Sequence, residues 1–337
     1  MKKVIVLVNT GTPDKPEKKF VRRFLSQFLN DHRVIDLPWL FRKILVNIII
    51  IPFRTPRSTA LYKKLWTVKG SPLLINLENL VSKLQRDTDI EYTVIGAMRY
   101  GNPSLKDTLK NLEKDPPEEL IIFPLFPHYS SSTTGSVNEL VMSEMLAWNT
   151  MPALSFVSHF YSHPSFIQAW VNQIRKYNPE NYDHVLFSYH GLPLSHVERS
   201  HPEIDSSGCS CENHMPAHGT LCYKASCYET TRLICDKLNL KAGSFSTSFQ
   251  SRLTKKWLTP FTDQVLSGLI KRDKKKVLVV APSFVADCLE TIVEISDDYM
   301  SDFKHSGGKE LVLVESLNDN AEWIDSIKAI AGILLKT

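Results

Sequence analysis

The sequence predicts an α/β fold of two similar lobes, each built on a parallel sheet flanked by helices, with the working cleft between them. Two observations predict it. Short apolar runs alternate with amphipathic stretches: strand 4–8, helix 17–30, strand 92–97, helix 103–113 and strand 120–123, with the pattern resuming after residue 183. Such alternation implies βαβ units and parallel pairing. The chain also echoes itself. VIVLVNTGTP and HVLFSYHGLP each run strand, polar residue, Gly, any residue, Pro, and LIIFPLFPHYS and VLVVAPSFVAD share strand, Pro, Phe, turn. Repeats of that size imply duplicated lobes, here residues 1–165 and 166–337.

With 337 residues, 43% hydrophobic and 23% charged, the chain can bury a sizeable core. Its formal charge of +4 is nearly balanced. That balance argues neither for nor against nucleic acid by itself; no dense basic run with interleaved aromatics is present, and no nucleic-acid partner is expected. None of the 13 glycines is followed two positions later by another, and Gly96 and Gly101 precede Asn102 where a phosphate loop needs Lys, so nucleotide-dependent chemistry is not expected.

The run Val4–Val8 is a core strand, too short for a secretory leader, and the protein reads as cytoplasmic. Residues 37–54, LPWLFRKILVNIIIIPFR, hold an apolar stretch from Ile44 to Ile51 that is too short to span a bilayer and contains Asn47. It reads either as a buried helix or as an exposed apolar lip. A lip bracketed by Arg42, Lys43, Arg54 and Arg57 would rest on an anionic membrane at its inner face or admit a flat apolar ligand.

Two strand ends carry chemistry. His190 closes the apolar run Val185–Phe187, and Glu290 follows the run Val277–Val280; in open parallel sheets the ligand crevice lies outside such carboxyl ends. Asp287, Glu290, Glu294 and Asp298 are spaced by three, four and four, which puts four carboxylates on one helical face, able to pass protons or cations. A solvated acidic face is the plainer reading of the row, and a satisfied core residue that of His190.

Cys209, Cys211, Cys222 and Cys227 gather in an insert over 205–227. Four thiols this close in a cytoplasmic chain favour a metal site over disulfides. Zinc is one occupant, helped by His214 and His218. Cys235 and Cys288 read as packing residues.

Taken together, LVNTGTPD, RTPRSTALY with KGSPLL, GAMRYGNP, FPHYSSSTTGS, FSYHGLP, FSTSFQSRL with Trp257, TPFTD and APSFVADCLETIVEI resemble ferrochelatase along nearly the whole chain. The resemblance implies a chelatase-type fold of two Rossmann-like lobes and an enzyme that inserts ferrous iron, its metal substrate, into protoporphyrin IX to form protohaem. It implies that His190 and Glu290 jointly handle pyrrole protons and metal. Asp287, Glu294 and Asp298 would extend the acidic path, and Phe284 and Trp257 would line the macrocycle. Arg54, Arg57 and Ser71 match positions that meet propionates, and Tyr62, Arg99 and Tyr100 fall in pocket motifs. Some ferrochelatases carry a [2Fe-2S] cluster. Ser131 stands where others have a first cysteine ligand and no cysteine follows Cys288, so a cluster here must use the insert. A coproporphyrin ferrochelatase or another tetrapyrrole chelatase is the near alternative, and a non-catalytic haem or iron carrier or sensor the distant one. A binder needs an axial ligand but not a proton-accepting pair. Monomer and homodimer both stay open.

Overall fold

The structure, a computed structural model, describes residues 2–86, 91–200 and 209–333. Residues 205–208 of the expected insert lie outside them. The chain divides into two compact units: unit 1 is Met1–Phe126, Ser131–His159 and Asn318–Thr337, and unit 2 is Pro127–Ser130 and Phe160–Leu317.

Unit 1 holds strands β1 (Lys3–Thr12), β2 (Tyr92–Gly101), β3 (Glu119–Pro124) and β4 (Ala153–Phe156), all parallel, in the order β2-β1-β3-β4. Unit 2 holds β5 (His184–His190), β6 (Phe245–Gln250), β7 (Lys276–Val280) and β8 (Glu310–Leu313), also parallel, in the order β6-β5-β7-β8. The two orders are the same order. The echoed segments therefore fall on equivalent strands, β1 with β5 and β3 with β7.

Continuous apolar runs make these strands because a central strand in a parallel sheet is covered on both faces. Val4, Ile5, Val6, Leu7 and Val8 are all fully buried, as are Val277 and Leu278. Helices supply the cover through one apolar stripe each. In Leu105–Lys114 that stripe is Leu105, Leu109 and Leu112, and Ser104 caps the start by accepting from the Asp107 N–H at 3.3 Å.

Residues Asn318–Thr337 belong with unit 1. Helix Ala321–Ala331 packs on helix Pro72–Arg86. Asn76 Nδ2 donates to Asn318 Oδ1 at 2.8 Å, and Lys83 pairs with Asp319 at 2.7 Å.

The apolar stretch is a continuous helical run: α-helix Trp39–Ile44, π-helix Leu45–Ile50 and α-helix Ile51–Leu65. The stretch is part buried and part exposed. Val46 and Ile51 are buried, while Phe41, Ile48 and Phe53 stand out at 66%, 67% and 81% exposure. Asn47 is no interruption, since its amide donates to the Lys43 carbonyl at 2.9 Å and meets Asn30 at the end of helix Lys18–Leu29. Arg42 does not bracket the lip. It is buried, and its guanidinium donates to the Leu37 carbonyl at 2.7 Å. No described helix is long and apolar enough to cross a membrane.

A buried titratable group at the start of β5 couples unit 2 to pH. His184 is 3% exposed and faces Ser246 Oγ at 2.8 Å; burial, with Arg272 and Lys274 adding positive charge, pushes its pKa down to about 4. A depressed histidine contributes fully above its unfolded pKa of about 6.5, and the contribution is lost as pH falls from there through about 4. Between pH 7 and 5 the loss is expected to be about 2 kcal/mol. Urea midpoints at the two pH values check it: the parent should lose more than His184→Gln, and parallel losses would refute the assignment.

Candidate active site

β5 delivers His190 to the carboxyl end of the unit 2 sheet. The residue's backbone is held from both sides: its N–H donates to Ser283 Oγ at 3.2 Å, and its carbonyl accepts from the Tyr223 hydroxyl at 2.8 Å. The ring is held too. Nδ1 lies 2.6 Å from the Gly191 carbonyl, which can only accept, so Nδ1 carries a hydrogen and Nε2 is the nitrogen this bond leaves unengaged. Trp257 and Phe284 flank the imidazole at ring-centroid distances of 6.3 and 6.2 Å.

Gly191 is required by close approach. A Cβ there would stand 2.7 Å from the Gln250 carbonyl and 3.3 Å from the Trp257 ring. The same carbonyl takes the Gly191 N–H at 2.8 Å. Gln250, at the end of β6, is partner to His190 in the parallel register; its side chain accepts from Ser188 Oγ at 2.7 Å and donates to the Glu290 carbonyl at 3.2 Å. One buried amide thus ties Ser188 of β5 to the backbone at Glu290. Sequence reasoning missed Gln250, Ser283 and Tyr223. Gln250 ends the motif FSTSFQ beside a strand tip, and that place was the available signal.

The acidic row is rearranged. Residues Glu290–Tyr299 form a π-helix, whose i→i+5 bonds give a wider turn than the α-helix the spacing implied. Asp287 lies ahead of the helix rather than on it and accepts from Thr291 Oγ1 at 3.0 Å. Glu290 opens the helix, half-buried. Glu294 accepts from the Ser251 N–H and the Tyr299 hydroxyl, both at 2.9 Å, and from Ser251 Oγ. Burial, then the Glu294 charge, pushes the Tyr299 phenol up, which keeps it a donor. Asp298 is exposed. The row thus runs from a turn, through two half-buried positions, to solvent.

In unit 1, helix Ile51–Leu65 carries Arg54, half-buried, and Arg57, exposed. Tyr62 is buried edge-on against Phe24, and Ser71 Oγ meets Thr12 Oγ1 at 2.9 Å. Arg99 and Tyr100 converge on Asp31: Arg99 Nη2 and the Tyr100 hydroxyl donate to its Oδ2 at 2.7 and 2.8 Å, and Ser136 Oγ donates at 2.6 Å. Burial opposes ionisation of Asp31, but hydrogen bonds from Ser136, the Arg33 N–H and Tyr100, with the Arg99 charge, hold the carboxyl below its usual range. Asp31 and Arg99 also line a polar cavity of about 500 Å³ with His32, Lys43 and Glu139.

The insert's thiols are all free; Cys211, Cys222 and Cys227 are buried and Cys209 is half-buried. Burial pushes the Cys211 thiol up to about 12, against the Lys224 ammonium, and Cys209 and Cys222 push it further. Cys227 is raised by burial, by Cys222 and by Cys211. The four sulfurs thus share one neighbourhood, with His218 Nε2 at 3.5 Å from Cys209 Sγ. Among the described residues, no group of three or more His, Cys, Asp or Glu side chains stands ready to hold a metal ion. Cys288 is buried and meets the Glu290 carboxylate, and Cys235 is buried on helix Tyr223–Leu238.

Solved structures share this fold. SirB from Bacillus subtilis with Fe3+ matches with a TM-score of 0.53 at 10% identity, over 99% of this chain and 94% of that one. The sirohydrochlorin chelatase SirB from Bacillus subtilis subspecies spizizenii in complex with cobalt matches with a TM-score of 0.54 at 9% identity, over 98% and 94%. At such identity the likeness concerns the fold alone. Curated sequences reach further. A ferrochelatase of Legionella pneumophila (strain Lens) is 41% identical over 98% of this chain and 99% of its own length, and one of Coxiella burnetii (strain Dugway 5J108-111) is 41% identical over 97% and 92%. The ferrochelatase family model matches residues 2–332. With His190 at the carboxyl end of β5, Glu290 at the start of the helical segment that follows β7, and those matches spanning nearly every residue of a duplicated parallel α/β fold, the chain belongs to the ferrochelatase family.

Proposed function

We propose that this enzyme inserts ferrous iron into protoporphyrin IX, with His190 and Glu290 as the reacting pair. The observation that carries the reading is the imidazole of His190, whose Nδ1 hydrogen is committed to the Gly191 carbonyl and whose Nε2 lone pair is left for an incoming proton or iron. Metalation exchanges two pyrrole protons for one ferrous ion. Each proton needs an acceptor near the macrocycle nitrogens, and Nε2 with the Glu290 carboxylate supplies two. Trp257 and Phe284, flanking the ring of His190, offer aromatic faces to an aromatic substrate. Arg54 and Arg57 suit propionate carboxylates through bidentate hydrogen bonds. Holding the substrate by such remote contacts can fund about 1–5 kcal/mol of macrocycle bending, which turns nitrogen lone pairs toward the metal. Glu294 and Asp298 lead from Glu290 toward solvent and give protons a route out.

Anaerobic ferrous insertion assayed separately with protoporphyrin IX and coproporphyrin III tests the reading. Faster turnover of protoporphyrin supports it; preference for coproporphyrin reassigns the substrate, and tight binding without turnover makes the protein a carrier.

We further assign Cys209, Cys211, Cys222 and Cys227 to a [2Fe-2S] cluster. The reading rests on ligand number and kind, four free thiols of which three are buried; among the described residues they do not form a ready metal site, so ligation would have to draw them together. Ligation would replace the thiol protons. When bound, the cluster would supply one-electron chemistry and a structural clamp, and metal insertion does not run through it. Protein purified without oxygen should contain iron and acid-labile sulfide in equal amounts, both lost in Cys222→Ser. Zinc without sulfide would give the site to zinc.

A further inference from the structure

The His190 peptide is enclosed by a ring of hydroxyls that the chemistry above does not use. Its N–H donates to Ser283 Oγ at 3.2 Å, Ser283 in turn hydrogen-bonds the Tyr223 side chain, and the Tyr223 hydroxyl donates back to the His190 carbonyl at 2.8 Å. These three residues come from the end of β5, the loop after β7 and the first turn of helix Tyr223–Leu238. Tyr223 is 7% exposed and packs edge-on against His128 with ring centroids 6.0 Å apart, so its hydroxyl cannot swing to water. A buried phenol is costly unless bonded, and here its partners include the carbonyl of the reacting histidine and the serine that takes that residue's N–H.

We propose that Tyr223, closed by Ser283, is a positioning residue for the insertion reaction: it fixes the His190 peptide so that Nε2 meets the substrate at one angle and depth. The proposal rests on the reading of His190 as a reacting group. It also gives the cysteine-rich insert a mechanical role. Cys222 is the N-cap residue immediately before Tyr223, and Cys227, one turn later, has its sulfur against the Tyr223 hydroxyl. Whatever gathers those thiols sets the start of the helix that carries the clamp.

Misplacing a reacting group by a fraction of its contact distance costs rate rather than affinity. Tyr223→Phe keeps the ring and removes the hydroxyl. It is expected to lower kcat for ferrous insertion about tenfold or more while KM for porphyrin and for iron stays within about twofold. Ser283→Ala should show the same split. A double-mutant cycle separates positioning from a merely structural effect: on a His190→Ala background, adding Tyr223→Phe should cost nothing further, because the group it positions is gone. Thermal midpoints of the single variants report folding independently. Full kcat in Tyr223→Phe, or a double variant slower than His190→Ala by the whole single-variant factor, would overturn the clamp. Full activity in His190→Ala itself would instead overturn the reading on which it rests.

Discussion

Replacing His190 by Ala should lower kcat for ferrous insertion by roughly 100- to 10,000-fold, the range expected when a positioned proton acceptor is removed. The fold should survive. The hydrogen bonds that anchor residue 190 to Ser283 and Tyr223 use its peptide N–H and carbonyl, which alanine retains, and only the Nδ1 bond to Gly191 disappears. Glu290→Gln is expected to cost about 100-fold or more by removing the second acceptor at constant shape. Its tie to Gln250 also survives, because that bond is made to the Glu290 backbone carbonyl. Steady-state insertion rates with melting temperatures alongside decide the matter. Variants that stay folded and keep more than a tenth of parental kcat would remove His190 and Glu290 from the chemistry and leave the family's reaction to other groups.

The largest effect on stability is expected at Gly11. This residue sits opposite Tyr100 in the β1·β2 register with φ +120°, and a Cβ built there would lie 1.8 Å from the Tyr100 carbonyl oxygen. Neither partner is a side chain that can rotate away. Both strands must separate at the end of the sheet, where Tyr100 also donates to Asp31. Gly11→Ala should therefore destabilise unit 1 by more than about 4 kcal/mol, beyond the usual range of single substitutions, and the protein should fail to accumulate in soluble form. Gly243→Ala is the control. Its φ of +82° imposes backbone strain, but nothing lies within 4 Å of the added carbon, so its cost should stay near 1–2 kcal/mol. Equal stability losses in the two variants would show that contact with the Tyr100 carbonyl is not what Gly11 avoids.

The expected strands and helices are present because their signal is local. A run such as Val4–Val8 must be covered on both faces wherever it lies, and the leucines of Leu105–Lys114 share a stripe whatever they meet. The duplication was legible for the same reason, as two strand–turn patterns that prove to occupy equivalent places in two sheets of one order. The acidic row was read less well, because spacing assumes a helix type. Angles drawn for 3.6 residues per turn do not hold over the π-helix Glu290–Tyr299, and Asp287 precedes the helix altogether.

Charge partners were the least legible. Arg42 looks like an exposed flank of an apolar lip, yet it turns inward to the Leu37 carbonyl. Arg99 and Tyr100 sit in a motif associated with the porphyrin pocket, yet their polar atoms meet Asp31, nearly 70 residues earlier in the chain. A side chain with several donors takes whichever acceptor the fold brings near, and periodicity is silent about that.

By itself the sequence determined the kind and order of the elements, the duplication, and the arrival of His190 at the end of β5, since each follows from local hydrophobic pattern and turn chemistry. Only the tertiary structure decided which nitrogen of His190 meets the Gly191 carbonyl, which amide joins β5 to the backbone at Glu290, and which hydroxyls hold the His190 backbone. Those choices depend on Gly191, Gln250, Tyr223 and Ser283 meeting around one residue. Hydrogen bonds act over about 3 Å of space whatever the separation along the chain, so they exist only once the sheet has been assembled.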